Sequence, residues 1–206
     1  MLSRLRAVVF FLAVAAVVGV SNQARAVTGS PSDVVARLND TLLSVMREAE
    51  PLGFQGRFDR LAPELIGAFN LPAMASTAAG KHWKKLDTAQ RKRLIDVFGR
   101  SSIATFANRF DGYSGETFEI VEETPGPRGS MLVRNKLIKS DGDSIEINYL
   151  LRVFHDRWRV VDVFLDAKYS EMALTRSEYT SVIANRGFDS LIEELEEKLV
   201  RMAESE

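Results

Sequence analysis

The 206-residue chain contains no cysteine, only two histidines and almost no excess of charge of either sign. Without cysteine, disulfide bonds, zinc sites with thiolate ligands and cysteine nucleophiles are all excluded. The net charge of -1, from 27 basic and 28 acidic residues, argues against a dedicated nucleic-acid-binding protein. Because 46% of the residues are apolar, the chain is also unlike an intrinsically disordered protein. The composition predicts one globular domain.

The sequence also lacks the local motifs of common catalytic sites. It has no glycine-rich phosphate loop, no G-x-S-x-G turn and no H-E-x-x-H helix. The best acid-base candidate is Asp162, which interrupts an apolar run and could be a general base if buried. A structural role is the favoured interpretation, with Asp162 either paired to Arg134 or Arg152 or bonded to the backbone of a neighbouring loop. His155 is expected at the surface, so we predict no catalytic residue, no metal site and no cofactor.

No apolar run in the sequence reaches the roughly 20 residues of a membrane-spanning helix. The longest one, residues 7–20, follows Arg4 and Arg6 and precedes the small residues Ala24 and Ala26. A basic start, a short apolar core and small residues at -3 and -1 are typical of a secretory signal peptide. We therefore predict a signal peptide over residues 1–26 that is cleaved after Ala26.

Hydrophobic periodicity and turn residues predict helices, then strands, then helices, the order of an α+β domain. A first helix is expected over residues 31–50, and two short helices between residues 58 and 81 because Pro63 and Pro72 restrict the residues before them. Asp87 and Gln90 resemble a capping box that opens the next helix. About four strands follow, at residues 117–122, 130–139, 144–154 and 158–165, and their short connections predict an antiparallel sheet. Two helices, over residues 176–186 and from Asp189 onward, end the chain.

Two charged surfaces stand out in the predicted helices. The final helix is acidic at Glu193, Glu194, Glu196 and Glu197, and is interpreted as a solvated surface with two pairs at i,i+4 spacing, Glu194 with Lys198 and Glu197 with Arg201. The densest basic run, here called the basic cluster, consists of Lys81, His82, Lys84, Lys85, Arg91, Lys92 and Arg93. It is either the solvated start of a helix or a docking surface for an acidic partner or lipid headgroups.

The predicted strands are apolar on both faces, so the sheet needs cover on both sides, from helices or from a bound apolar ligand. Residues 158–163, Trp-Arg-Val-Val-Asp-Val, resemble the W-[KR]-V-x-D-V signature of the MlaC/Ttg2D family of periplasmic lipid-binding proteins. Residues 69–75, 83–91, 176–179, 187–192 and 195–198 are similar to further segments of that family, in the same order. The resemblance covers about residues 33–200. This chain differs from the family pattern at residues 166–170, where it has Asp-Ala-Lys-Tyr-Ser and the family has a glycine before a Val-Ser pair. At these residues it resembles the hopanoid-associated HpnM branch.

The resemblance implies a non-enzymatic lipid carrier of the periplasm, with residues 27–206 as a single lipid-binding domain. Its fold is then a curved antiparallel sheet flanked by N- and C-terminal helices around an apolar cavity, NTF2-like in outline. The implied cargo is a hopanoid or a phospholipid, and the implied partner is a membrane-bound transporter or MCE-type complex, met in transient contact near the membrane. One helical stripe and one parity of the strands predict the lipid-binding residues. They are Phe69, Met74, Phe106, Phe110, Met131, Val133, Ile147, Tyr149, Leu151, Val163 and Leu165.

Two other functions fit the same sequence pattern. One is a small NTF2-like enzyme that acts on an apolar substrate with an aspartate base. The other is a structural or adaptor protein in which the apolar stripe is ordinary core. Lipid that co-purifies with the protein distinguishes the carrier from both alternatives.

Overall fold

The computed structural model describes residues 27–166 and 169–204. The predicted signal peptide lies outside these residues and stays a prediction. Within them, four α-helices precede five strands and two further α-helices follow, which confirms the predicted α+β class. In this part of the chain, no helix combines the length and the apolarity needed to cross a membrane.

The first two helices differ in how well the sequence predicts them. Helix α1, Pro31–Arg47, begins at a reciprocal cap in which Ser30 and Asp33 each accept a backbone N–H of the other. Helix α2, Ala49–Ala68, turns sharply at Gly53, whose φ of 57° suits glycine, and then continues through Pro63. The two helices expected between residues 58 and 81 are the end of α2 and the helix Leu71–Ala79, but the first of them is part of a longer helix that Pro63 does not interrupt. Buried residues on both sides of the proline pack into the core, which offsets the one backbone donor that the proline lacks.

The next two helices both begin at side-chain caps, of which only that of the second was predicted. Helix α3, Leu71–Ala79, is capped by the Asn70 side chain, which accepts the Ala73 N–H, and a 3-10 helix over Gly80–Lys85 follows it. Helix α4, Thr88–Arg109, opens with the expected capping box of Asp87 and Gln90. Helix α4 is the longest helix among the described residues and forms one side of the cavity described below.

The five strands form one antiparallel sheet in the order β1-β2-β3-β4-β5. Their bounds are Thr117–Pro125, Met131–Ile138, Ser144–Phe154, Arg157–Leu165 and Tyr169–Ser170. The β3–β4 connection is a two-residue turn in which His155 and Asp156 both have positive φ, and His155 is exposed as predicted. The prediction of about four strands missed β5, since two residues carry no periodic signal.

Helix α5, Glu171–Arg186, and helix α6, Phe188–Glu204, end the described chain. Helix α5 begins five residues before the predicted start at Arg176. Its cap is Ser170, whose hydroxyl accepts the Ala173 N–H at 2.9 Å. The following Gly187 separates the two helices, as the sequence predicts.

The acidic face of α6 is only partly a solvated surface. The Glu196 carboxylate makes two hydrogen bonds with the guanidinium of Arg100 on α4, the shorter at 2.7 Å. Arg100 holds the pKa of Glu196 below its usual value. Glu194 pairs with Arg186 on α5. Glu194 was expected to pair with Lys198 on its own helix, but its pair with Arg186 joins α6 to α5. The other expected pair, Glu197 with Arg201, forms at 3.5 Å.

Candidate functional site

A cavity of about 450 Å³ lies between helices α4 and α5, with the sheet as its floor. This volume is in the range of pockets that hold small molecules, about 300 to 1,000 Å³. Thirteen of its 21 lining residues are apolar or aromatic. Residues of α4 and its C-cap Phe110 line it from Phe98 to Phe110, a distance of about 18 Å along the helix axis at 1.5 Å per residue. The cavity is thus a long apolar slot.

The floor is built from one face of the three central strands. Leu137 is paired with Ile145, and Ile147 with Leu165, across neighbouring strands, and all four side chains line the cavity. Val163 completes this floor on β4. Because side chains alternate along a strand, one parity of each strand supplies the whole surface.

Seven of the eleven predicted lipid-binding residues line this cavity. They are Phe69, Met74, Phe106, Phe110, Ile147, Val163 and Leu165. The other four, Met131, Val133, Tyr149 and Leu151, do not line it. A lipid-binding role for any of the eleven stays a prediction.

The four residues outside the cavity lie on the same sheet face, farther along the strands. There α1 and α2 contact the sheet, and Val133, Tyr149 and Leu151 are fully buried. The Asn39 side chain of α1 donates a hydrogen bond of 2.9 Å to the Asn135 side chain of β2, which holds α1 against the sheet. Val133, Tyr149 and Leu151 are therefore part of the core, whereas Met131 is half-buried.

Aromatic rings form the wall between the cavity and that core. The Phe69 ring contacts both Phe106 and Tyr149 edge to face, at centroid distances of 5.6 and 6.4 Å. Phe106 stacks on Phe110 at 5.8 Å. Phe69 is held in place by the backbone, since the next residue, Asn70, donates its N–H to the Val160 carbonyl at 2.9 Å. The end of α2 is thereby fixed to β4.

Sequence reasoning missed fourteen of the lining residues. Leu137 and Ile145 share the parity of Val133 and Ile147, so the strand pattern contained the signal for them. On α4, Phe98 and Thr105 continue the stripe of Phe106. The remainder lie on α4, α5 and α6. They are Ser101, Ser102, Arg109, Glu171, Met172, Thr175, Glu178, Tyr179, Leu195 and Lys198.

Charged side chains are confined to the part of the lining that faces water. Arg109, Glu178 and Lys198 are exposed and Glu171 is half-buried, so they mark where the slot opens. Inside it, the Tyr179 ring packs on Phe98 with centroids 6.4 Å apart. Burial raises the pKa of the Tyr179 phenol, which is therefore neutral at physiological pH. The interior is uncharged and the rim carries both signs of charge.

Asp162 does not line the cavity but holds one of its walls. Its carboxylate accepts hydrogen bonds from the Val163 N–H, the Ser170 hydroxyl and the Met172 N–H, at 2.8, 2.7 and 3.1 Å. Of the two structural roles predicted for Asp162, the bond to nearby backbone is observed. The Arg134 guanidinium, one of the two predicted arginine partners, pairs with Glu122. Asp162 thus ties β4 to the first turn of α5, which carries cavity residues.

The described residues show no group of three His, Asp or Glu side chains that could hold a metal ion. The basic cluster lies on the 3-10 helix and the start of α4, on the flank of α5 where Gly80 approaches Arg176. Within it, Arg91 lies over the Trp83 ring at 5.4 Å and Arg93 pairs with Asp189. The lysines of the cluster are exposed.

Comparison with known proteins identifies the family. The MlaC protein family matches residues 36–197, which is most of the chain. The chain belongs to the MlaC family. Among solved structures, this MlaC-family chain is similar to a phospholipid-binding protein from Ralstonia solanacearum in complex with a phospholipid, with a TM-score of 0.75 and 17% sequence identity. The match covers 85% of this chain and 99% of that one, and at this identity it shows a shared fold. A search of curated proteins gave no significant match.

Proposed function

We propose that residues 27–206 form a periplasmic lipid carrier. It binds the tails of a phospholipid or hopanoid in the cavity and moves the lipid between membrane-bound transport complexes, for example one of the MCE type. The observation that carries this proposal is the apolar slot between α4, α5 and the sheet. Membership of the MlaC family and the phospholipid in the Ralstonia solanacearum neighbour support it.

The dimensions of the slot suit an acyl chain. The tails of one leaflet extend about 15 Å, half of a hydrocarbon core of about 30 Å, and the slot runs about 18 Å along α4. Each methylene removed from water contributes about 0.8 kcal/mol, so roughly thirty methylenes of a diacyl lipid represent more than about 20 kcal/mol. A lipid therefore needs a carrier with an apolar interior to cross an aqueous compartment at a useful rate.

A binding role also agrees better than catalysis with the position of Asp162. An enzyme with an aspartate base requires the carboxylate to reach the substrate, but Asp162 is absent from the cavity wall. Its oxygens already accept hydrogen bonds that hold α5. We accordingly propose a protein that binds and releases its ligand without turnover.

Release requires a partner, because a carrier that only bound its lipid would not deliver it. A membrane-bound complex can take the lipid by binding an open state of the carrier more tightly than the closed state. Helix α5 forms one wall of the slot, and its first turn is bonded to β4 through Asp162, so a movement of α5 would open the slot.

A cavity-filling substitution tests the proposed function. Thr105 is half-buried in the slot, so Thr105→Phe adds a ring in the space for a tail. The control is Ala89→Phe, which adds the same ring at an exposed position of the same helix. Displacement of an environment-sensitive fluorescent fatty acid by a diacyl phospholipid measures binding. We expect Thr105→Phe to weaken it at least about tenfold, the effect of about 1.4 kcal/mol, and Ala89→Phe to leave it unchanged.

Two results would contradict the proposal. In one, the wild-type protein binds neither the probe nor the phospholipid. In the other, Thr105→Phe unfolds at the same temperature as the wild type and binds the lipid equally well.

A further inference from the structure

The cavity contains a hydroxyl group that the protein itself leaves without a hydrogen bond. Four serine and threonine residues line the slot. Three of their hydroxyls donate to carbonyl oxygens of their own helix: Ser102 to Phe98 at 2.8 Å, Thr105 to Ser101 at 2.8 Å and Thr175 to Glu171 at 2.7 Å. The fourth, Ser101, is 92% buried, and its Oγ has no partner among the described residues.

An unpartnered buried hydroxyl is unfavourable, since it has lost its hydrogen bonds to water and gained none in return. Ser101 lies on the cavity wall, and rotation about one side-chain bond is enough to turn its Oγ toward a ligand. Phe98 and Leu195, which also line the cavity, have apolar side chains, and the Ser101 hydroxyl, unlike the other three, does not donate to a carbonyl oxygen of its own helix. A bound molecule with an acceptor atom at this point would do so.

The surroundings of Ser101 determine which acceptor fits. Arg100 and Glu196, adjacent in sequence to Ser101 and Leu195, are joined by a hydrogen bond of 2.7 Å, which brings α4 and α6 together here. Because Ser101 is 92% buried, its position disfavours a charged phosphate, whose desolvation is costly, and accepts a neutral carbonyl oxygen. The exposed Lys198, one turn beyond Leu195, leaves room for a charged headgroup at the rim.

We propose that Ser101 donates a hydrogen bond to the ester carbonyl oxygen of an acyl lipid, so that the cavity prefers ester-linked cargo. The ester is the polar group nearest to the tails, and a hydrocarbon hopanoid skeleton contains none. The inference rests on the proposed carrier function and deepens it by assigning the lipid class and its orientation. The headgroup then lies near Lys198 at the rim.

Paired lipids and paired variants test this role. The ligands are dipalmitoyl phosphatidylethanolamine and its dialkyl ether analogue, which lacks both carbonyl oxygens, each displacing the fluorescent fatty acid. The wild type should bind the ester about three- to tenfold more tightly than the ether, the effect of one hydrogen bond. Ser101→Ala should bind both with the affinity of the ether. Ser190→Ala, which removes a hydroxyl outside the cavity that already donates to the Arg186 carbonyl, should keep the preference.

The role of Ser101 is overturned if the wild type binds ester and ether equally, or if Ser101→Ala retains the full preference. A wild-type protein that binds neither lipid overturns the carrier function itself. The two failures are therefore distinguishable, because the first leaves lipid binding intact.

Discussion

The substitution Asp162→Ala removes the group that joins β4 to the start of α5. In the wild type, three donors bond to this carboxylate: two backbone N–H groups, of Val163 and Met172, and the Ser170 hydroxyl. Val163 and Met172 are buried, so alanine leaves their N–H groups without a partner and with little access to water. Each lost bond costs about 1 kcal/mol, and the variant should be less stable by about 3 kcal/mol.

Thermal unfolding followed by circular dichroism measures this loss. For a domain of this size, about 3 kcal/mol corresponds to a decrease in Tm of about 6 to 12 °C. The matched control is Asp162→Asn, whose amide oxygen can still accept the two backbone N–H groups. It should lose about 1 kcal/mol, since only the bond from the Ser170 hydroxyl is replaced.

The reasoning would be refuted by an Asp162→Ala protein that unfolds within about 2 °C of the wild type, less than the shift for about 1 kcal/mol. The same variant should also lose bound lipid faster than the wild type, because the first turn of α5 carries Glu171, Met172 and Thr175 of the cavity wall. A fully stable variant that had instead lost an enzymatic turnover would overturn the carrier account.

Two further predictions concern charge. Replacing Lys84, Lys85 and Lys92 by Glu should slow lipid transfer from the loaded protein to anionic vesicles at low salt without emptying the cavity. Added salt should reduce the difference in transfer rate between the variant and the wild type. An unchanged rate at low salt would show that the basic cluster has no part in transfer. Because Arg100 lowers the pKa of Glu196, their pair stabilises the folded state above the ordinary glutamate pKa of 4.5 and ceases to do so as pH falls through the lowered value. Glu196→Gln should therefore lower the free energy of unfolding by less than about 1 kcal/mol at pH 7, because the pair is partly exposed. Urea unfolding at decreasing pH should show that this loss disappears. A loss that is the same at every pH would contradict the stabilising role of the pair.

The parts of the fold that depend on neighbouring residues in the chain were predictable. The capping box of Asp87 and Gln90 fixed the start of α4, and the two-residue turn at His155 and Asp156 fixed the β3–β4 hairpin. These signals act over three or four residues, so the sequence contains all the partners. Of the strand residues chosen by strand parity, Ile147, Val163 and Leu165 line the cavity.

Features that depend on distant partners were not predictable in this way. Helix α5 begins at Glu171 rather than at the predicted Arg176, because Asp162 on β4 accepts the Met172 N–H. Arg57 is a charged residue with 4% exposure, and its guanidinium bonds the carbonyl oxygens of Ala107 and Ala49. Such contacts between segments about 10 to 50 residues apart leave no periodic pattern in the sequence.

The extent of the cavity is the clearest example. The alternation of side chains along a strand does not show which part of a sheet face the helices cover. Val133 and Leu151 were therefore predicted to line the cavity, although both are fully buried where α1 and α2 contact the sheet. An aspartate at either position would disrupt the core as a whole. It would therefore not test the cavity selectively, whereas Thr105→Phe acts inside it.

The central claim is that the cavity holds a lipid in the protein as it exists in the cell. Native mass spectrometry of the wild-type protein, purified from the periplasm without detergent, measures this directly, and lipid extraction of the same sample identifies the cargo. We expect a complex heavier than the polypeptide by one lipid, an ester-linked acyl lipid in the extract, and no bound lipid in Thr105→Phe. Wild-type protein that has the mass of the polypeptide alone, and yields no lipid on extraction, would contradict the account.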